Sequence, residues 1–207
     1  MILDIHTHRM APYPEGLVNA DFSDFKPVEG QYYSVGIHPW DTSAAITPEM
    51  FETLEKTAAH KAVLAVGECG VDLLKGGPMF RQLQVFRNHV EISERVGKPM
   101  IIHAVKATDI IMGLKRDLQP SQQWIIHGFR GKPQTAGMLL KAGILLSFGP
   151  KFNVDTVAIL PPGSILAETD DSIETIEEVI AGLSVAANRD LTPEITDATN
   201  RVLRPIP

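Results

Sequence analysis

Val63-Leu64-Ala65-Val66-Gly67-Glu68 decides the fold of this chain: a short apolar run that ends on a carboxylate. The pattern recurs. Ile2-Leu3-Asp4-Ile5 leads into His6 and His8, Met100-Ile101-Ile102 into His103, and Trp124-Ile125-Ile126 into His127. Ile165-Leu166-Ala167-Glu168-Thr169 is closed by Asp170. Runs of this length rich in Val, Ile and Leu, without clean alternation, read as strands buried on both faces of a parallel sheet. Polar residues at the carboxyl ends of successive parallel strands converge on one rim of a (β/α) barrel, where its active site sits. Imidazoles and carboxylates gathered there suit Zn²⁺, Mn²⁺ or a neighbouring hard cation. The expectation is a metal-dependent hydrolase.

Outward from these runs, strand-like and helix-like segments alternate, which favours repeated βα units. Strands are expected at Met1–Ile5, Gly16–Ala20, Tyr32–Ile37, Val63–Gly67, Met100–Ile102, Trp124–Ile126, Gly143–Phe148 and Ile165–Ala167. Pro48–His60 reads as a helix with Thr47 placed to cap it. Pro78–Val96 carries Leu83, Phe86 and Val90 on one face and stops at Gly97. Further helices are expected at Pro133–Ala142, at Ser172–Ala187 with Asp171 and Glu174 at capping-box spacing, and at Pro193–Leu203. About seven residues separate His8 from Gly16, whereas a crossover helix needs roughly a dozen. The fold class is therefore α/β, a (β/α) TIM-type barrel trimmed of its first crossover helix.

The chain has 207 residues, near the short limit for a complete barrel, and residues 1–207 read as one domain. No apolar stretch approaches a membrane span, and His6 and His8 stand too near the start for a cleaved leader to precede them. Cys69 is the only cysteine, so no intramolecular disulfide can form and a reducing, cytoplasmic setting is expected. The net charge of −6 argues against tight, extended binding to a nucleic-acid backbone. It favours a phosphate-containing small molecule or a DNA end, with no membrane and no obligate protein partner.

Residues two apart on a strand face the same side, so His6 and His8 can grip one ion together. The expected metal ligands are His6, His8, Glu68, His103, His127 and Asp170, holding one or two divalent ions of Zn, Mn, Mg or Ni. A divalent ion acidifies water, and a second one a few ångströms away clamps phosphoryl oxygens. Asp170 is the expected proton acceptor, and the two oxygens of Glu68 can span both ions. His38, in Gly36-Ile37-His38-Pro39, also ends a strand and is assigned to the substrate phosphate or to supporting the ligands. Asp170, Glu68 and His38 are thus the expected catalytic residues. Lys106, Arg130, Lys132 and Lys151 lie just past strand ends and each reads first as a solvated surface charge. Cys69 reads as a small packing residue, His60 and His89 as structural, and Asp4 and Asp72 as supports for loops or ligands.

The ordered set Asp4-Ile-His6-Thr-His8, Gly36-Ile-His38-Pro39, Gly67-Glu68-Cys-Gly70-Val-Asp72, Lys98-Pro-Met-Ile-Ile-His103, Ile-His127-Gly-Phe129 and Glu168-Thr169-Asp170 resembles the TatD family of metal-dependent hydrolases. Arg81-Gln82 and Phe86 ahead of Lys98-Pro99 match its pattern too. The resemblance implies a TIM barrel of the amidohydrolase type that binds one to three divalent ions and hydrolyses phosphodiesters, often as a nuclease. It implies that His6 and His8 hold one metal together with Asp170, that Glu68 bridges, and that His103 and His127 serve the second. The chain departs from the pattern by its shortness, by Lys106 in the segment after His103, and by Asp171-Ser172 after the Glu-Thr-Asp motif. An amide or lactone hydrolase of the same superfamily, or a catalytically idle metal-binding relative, are the alternative readings.

Overall fold

The computed structural model describes residues 2–203. Eight strands close into a barrel in chain order: β1 (Asp4–Thr7), β2 (Gly16–Ala20), β3 (Tyr32–Val35), β4 (Val63–Asp72), β5 (Met100–Val105), β6 (Trp124–Ile126), β7 (Ile144–Phe148) and β8 (Ile165–Ala167). Every neighbouring pair is parallel, including β8 with β1. The helices are α1 (Pro48–Ala58), α2 (Met79–Val96), α3 (Thr108–Leu118), α4 (Pro133–Lys141), α5 (Val154–Ile159), α6 (Ile176–Ala187) and α7 (Thr192–Val202). None of the described helices is long and apolar enough to cross a membrane.

The unalternating apolar runs are buried on both faces, as a parallel barrel requires. In β5 and β6, Met100, Ile102, Trp124 and Ile126 belong to the large cluster packed under the helices, where the Phe86 ring meets Trp124 edge-on at 5.2 Å. Ile101 and Ile125 belong instead to a separate inner cluster with Ile5, Leu17, Leu64 and Leu166, to which α7 adds Ala198 and the residue that caps it, Leu203. Each fully buried Ile or Leu of these layers contributes roughly 1.5–3 kcal/mol by leaving water. Two residues beyond Ile101 and Ile125 on the same face stand His103 and His127, so the alternation that fills the barrel also aims the imidazoles.

The ends of elements differ from the sequence expectations for local reasons. The first strand begins at Asp4 rather than Met1, which lies outside the described residues. β4 runs on to Asp72 and β5 to Val105, because the two stay paired from Cys69↔Ile102 to Asp72↔Val105. Glu68 and His103 therefore sit inside their strands, not just past them. The first crossover helix is absent as expected, and residues 21–31 between β2 and β3 carry none either. The last crossover begins at Ile176 rather than Ser172. Its capping box is Thr175 with Glu178, not Asp171 with Glu174, because Asp170 takes a left-handed φ of 53° and Ser172–Glu174 form a turn first. Two helices went unread in the sequence, α3 and the short α5. Gly97 ends α2 at φ 69°, the left-handed cap expected of it.

Candidate active site

Glu68 lies at the centre of the site, and its two oxygens face different neighbours. Oε2 is 3.3 Å from His6 Nε2 and 3.5 Å from His8 Nε2. Oε1 is 2.8 Å from His103 Nδ1, 2.8 Å from His127 Nε2 and 3.0 Å from His38 Nε2. Asp170 Oδ1 stands on the first side, 3.7 Å from His6 Nε2 and 3.6 Å from His8 Nε2. All seven side chains named in advance thus converge. Glu68 reaches the centre because Gly67 and Gly70 let β5 come close: a Cβ on either would collide with the backbone of Ile101 or His103.

The surroundings fix which nitrogen of each imidazole faces Glu68. Asp72 Oδ2 lies 3.2 Å from His103 Nε2 and accepts from Trp40 Nε1 at 2.7 Å, while its Oδ1 accepts from the amides of Leu74 and Lys75. A carboxylate can only accept, so His103 donates through Nε2 to Asp72 and through Nδ1 to Glu68, and Nδ1 is the nitrogen that would give up its proton to serve a cation. His127 does the same on the other side: its Nδ1 faces Glu168 Oε1 at 3.3 Å, an oxygen that also accepts from the Gly128 amide at 2.6 Å. Both arrangements are the carboxylate–histidine pairing that orients metal ligands. His38 is opposite in kind. The Trp40 amide donates into His38 Nδ1 at 3.2 Å, so the neutral ring carries its proton on Nε2 and donates it. Although His38, Glu68 and His103 cluster closely enough to hold a cation, this hydrogen bond makes His38 a donor rather than a ligand.

Electrostatics agree with the geometry. Burial pushes the Glu68 carboxyl up, but hydrogen bonds from His103, His127 and His38 outweigh it and hold the group far below the ordinary carboxylate range. Burial lowers His127, yet the charges and hydrogen bonds of Glu168 and Glu68 raise it well above its usual value. The hydrogen bond to Glu68 raises His8 against the opposing effect of burial. Asp4, fully buried, is pushed up to about 7 by that burial, against hydrogen bonds from the Thr169 hydroxyl and amide.

The donor set fits a divalent cation. Both ring nitrogens of His6 are buried without a hydrogen-bond partner, a costly state for a polar group unless something takes a lone pair. His6, His8 and Glu68 bring ligand atoms within 4.8 Å of one another, as do His6, His127 and Asp170. A cavity of about 420 Å³ opens onto them and is also lined by Asn19, Trp40, Asp41 and Asp171. Sequence reasoning passed over Asn19, whose Oδ1 accepts from the Glu68 amide at 3.1 Å, and Trp40. The end-of-strand position of Asn19 on β2 was the available signal. Arg130 and Lys151 line an adjoining hollow of about 210 Å³ beside Asp170, whereas Lys106 and Lys132 are exposed away from the ligands' cavity. Cys69 is fully buried with its thiol pushed up by that burial, and His60 and His89 stand apart from the site.

The family model described as TatD related DNase matches residues 25–176. The chain belongs to the TatD family. YabD of Bacillus subtilis strain 168, named an uncharacterised metal-dependent hydrolase, is 32% identical over 148 residues, covering 67% of this chain and 58% of YabD. YjjV of Escherichia coli K12, named likewise, is 31% identical over 151 residues, 67% of this chain and 57% of YjjV. The chain thus spans little more than half the length of these curated TatD relatives. The crystal structure of YjjV superposes over 100% of this chain with a TM-score of 0.82 at 20% identity. A TatD family hydrolase from Entamoeba histolytica does so over 99% with a TM-score of 0.79 at 13% identity. At those identities the likeness is one of fold, and the barrel is that of the TatD proteins.

Proposed function

We propose that this chain is a divalent-metal-dependent hydrolase of phosphodiester bonds, taking a phosphate-containing small molecule or a DNA end. The observation that carries the reading is the division of Glu68: Oε2 toward His6 and His8, Oε1 toward His103 and His127, with Asp170 beside the first pair. In this reading His6, His8 and Asp170 would hold one cation and His103 and His127 a second, with Glu68 placed to serve either. A bound divalent ion supplies Lewis acidity, which acidifies water and draws charge from phosphoryl oxygen.

The remaining steps belong to the chain's own groups. Asp170 accepts the proton of the attacking water. Its left-handed backbone is stitched to β1 by amide bonds to His6 O and from His8 N, both 3.0 Å, which hold the carboxylate in register with the two imidazoles. His38, set as a donor by the Trp40 amide, gives its Nε2–H to Glu68 Oε1 at 3.0 Å and so supports the carboxylate between the imidazoles. Arg130 and Lys151 add positive charge beside Asp170. The single buried Cys69 fits a reducing compartment, and a cytoplasmic location is part of the same proposal.

The test measures metal content and hydrolysis on one preparation purified without chelator. At least one transition metal per chain, with turnover of a generic phosphodiester that chelation abolishes and Mn²⁺ or Zn²⁺ restores, is the expected result. Turnover of lactones or amides in place of phosphodiesters would move the assignment to the amidohydrolase alternative. A protein that binds no metal on titration would end both.

A further inference from the structure

We propose that Trp40 is a specificity-determining residue, a fixed stacking surface at the mouth of the barrel for a planar ring carried by the substrate phosphate, a nucleobase. The inference rests on the phosphodiester reading above and adds to it which group beside the phosphate is recognised.

Trp40 is 45% exposed and lines the same cavity as Glu68, His103 and Asp170. Other large apolar side chains are more exposed, Met10 at 91% and Ile173 at 96% among them, but they line no part of that cavity. Trp40 is also held from several directions. Its indole N–H donates to Asp72, its amide donates to His38, and its ring meets the His38 ring edge-on at 4.7 Å. Lys75 Nζ lies 4.1 Å from the ring centroid.

The backbone beneath it is fastened too. Trp40 lies in a 3-10 turn, Pro39–Ser43, and the Gly77 amide donates to Thr42 Oγ1 of that turn at 3.1 Å. Gln82 Nε2 reaches back from α2 to the carbonyls of Lys75 and Gly77. Gly76 and Gly77 pack so closely on the carbonyls of Pro39 and Thr42 that a Cβ on either would collide. Turn and loop therefore form one rigid rim.

An aromatic ring kept half in water and unable to turn away has met the ordering cost of binding before a ligand arrives. Stacking on such a ring is available to every base, since each has a π-face. The Lys75 ammonium over the ring adds positive charge to the same rim, which draws a phosphate-bearing ligand toward it.

The test compares two single-stranded oligothymidylates that differ at one residue: the nucleoside flanking the cleaved terminal linkage carries its base in one and is an abasic tetrahydrofuran in the other. The readout is the ratio of kcat/KM for the two, because a general loss of chemistry cancels in it. The wild-type ratio is expected near tenfold in favour of the base, within the range that single stacked bases command. Trp40→Ala should bring it close to one, and Trp40→Phe, which keeps a ring but not the indole N–H, should retain most of it. A ratio unchanged in Trp40→Ala overturns the proposal, and so does a Trp40→Phe protein as indifferent as Trp40→Ala, which would assign the residue to bracing Asp72.

Fluorescence supplies a readout without turnover. Trp124 is fully buried, so quenching by a phosphorothioate oligothymidylate should report Trp40 and vanish in Trp40→Phe. Should the protein cleave no phosphodiester, the preceding reading fails while this titration still decides the stacking. Absence of quenching in the wild type overturns it.

Discussion

β4 and β5 pair at Val66↔Met100 and, after an irregularity at Gly67–Glu68, from Cys69↔Ile102 through Asp72↔Val105, whereas β8 and β1 meet at Asp4↔Ala167 and then at the isolated bridge Thr7↔Asp170. Both seams deliver candidate ligands to the mouth. On the first, a ladder resumed at Cys69↔Ile102 carries His103 just beyond an irregularity that holds Glu68, and α2 backs it with Gln82, which bonds the Asp72 amide and carbonyl. On the second, side chains do the joining. Asp4 accepts from the His6 amide and from the amide and hydroxyl of Thr169, and Thr7 Oγ1 lies 2.8 Å from Thr169 Oγ1. The contrast teaches that a barrel can close at a strand pair too short for a ladder if buried polar groups take over, and that the ligands there depend on those groups.

The largest expected effect tests the chemistry at the short seam. Asp170→Asn should keep the fold and lower phosphodiester turnover roughly a hundred- to ten-thousand-fold in excess Mn²⁺, the usual cost of losing a general base. Cys69→Ser, on the long seam beside Glu68, should cost far less. The reverse order in steady-state assays would transfer the chemistry to the thiol.

Next in size is an acid sensitivity confined to the side braced by α2. His89 Nε2 accepts from the Ile37 amide at 2.9 Å and its Nδ1 donates to Val85 O at 2.8 Å. Burial lowers His89 from 6.5 to about 4. A depressed histidine stabilises the fold in its neutral form, so its contribution is complete above pH 6.5 and is lost as pH falls toward 4. That loss amounts to about 3 kcal/mol. Urea midpoints measured at steps from pH 7 to 4 should fall less steeply in His89→Gln, whose amide can make both bonds; parallel slopes would dismiss the brace.

At the short seam, Asp4→Ala removes the acceptor of three hydrogen bonds and should lower stability by about 2 kcal/mol in chemical denaturation. A wild-type denaturation midpoint would show that backbone pairing alone closes the barrel. The smallest effect is expected at Asp72. Asp72→Asn should weaken cation binding about tenfold in calorimetric titration, because His103 loses the acceptor that fixes its tautomer. If His103→Ala showed the same loss and the double variant no more, the two would act as one unit, as the long seam requires.

How much could be read in advance followed from periodicity. The strands whose bounds coincide with a short run set off from its neighbours, β2, β6 and β8, lie where the sequence put them. β4 was read too short because Glu68-Cys69-Gly70 looks like a strand's end, and only its partner β5 keeps those residues extended. α3 was missed although Ile111 and Leu114 mark a buried face, and the α6 cap was misplaced because two acidic spacings competed and the turn at Asp170 decided between them.

By itself the sequence determined which side chains meet. A parallel barrel brings every strand's carboxyl end to one rim, so six ligand-type residues after five apolar segments needed no coordinates to be expected there. Tertiary structure alone decided their roles. Which oxygen of Glu68 faces which imidazole, which nitrogen of His103 and His127 turns inward while Asp72 and Glu168 hold the other, and that Trp40 is clamped at the mouth all depend on hydrogen bonds between residues far apart in the chain. Side-chain direction along a strand is fixed by a period of two residues, but the partner of each ring nitrogen is fixed by which strand and loop lie alongside.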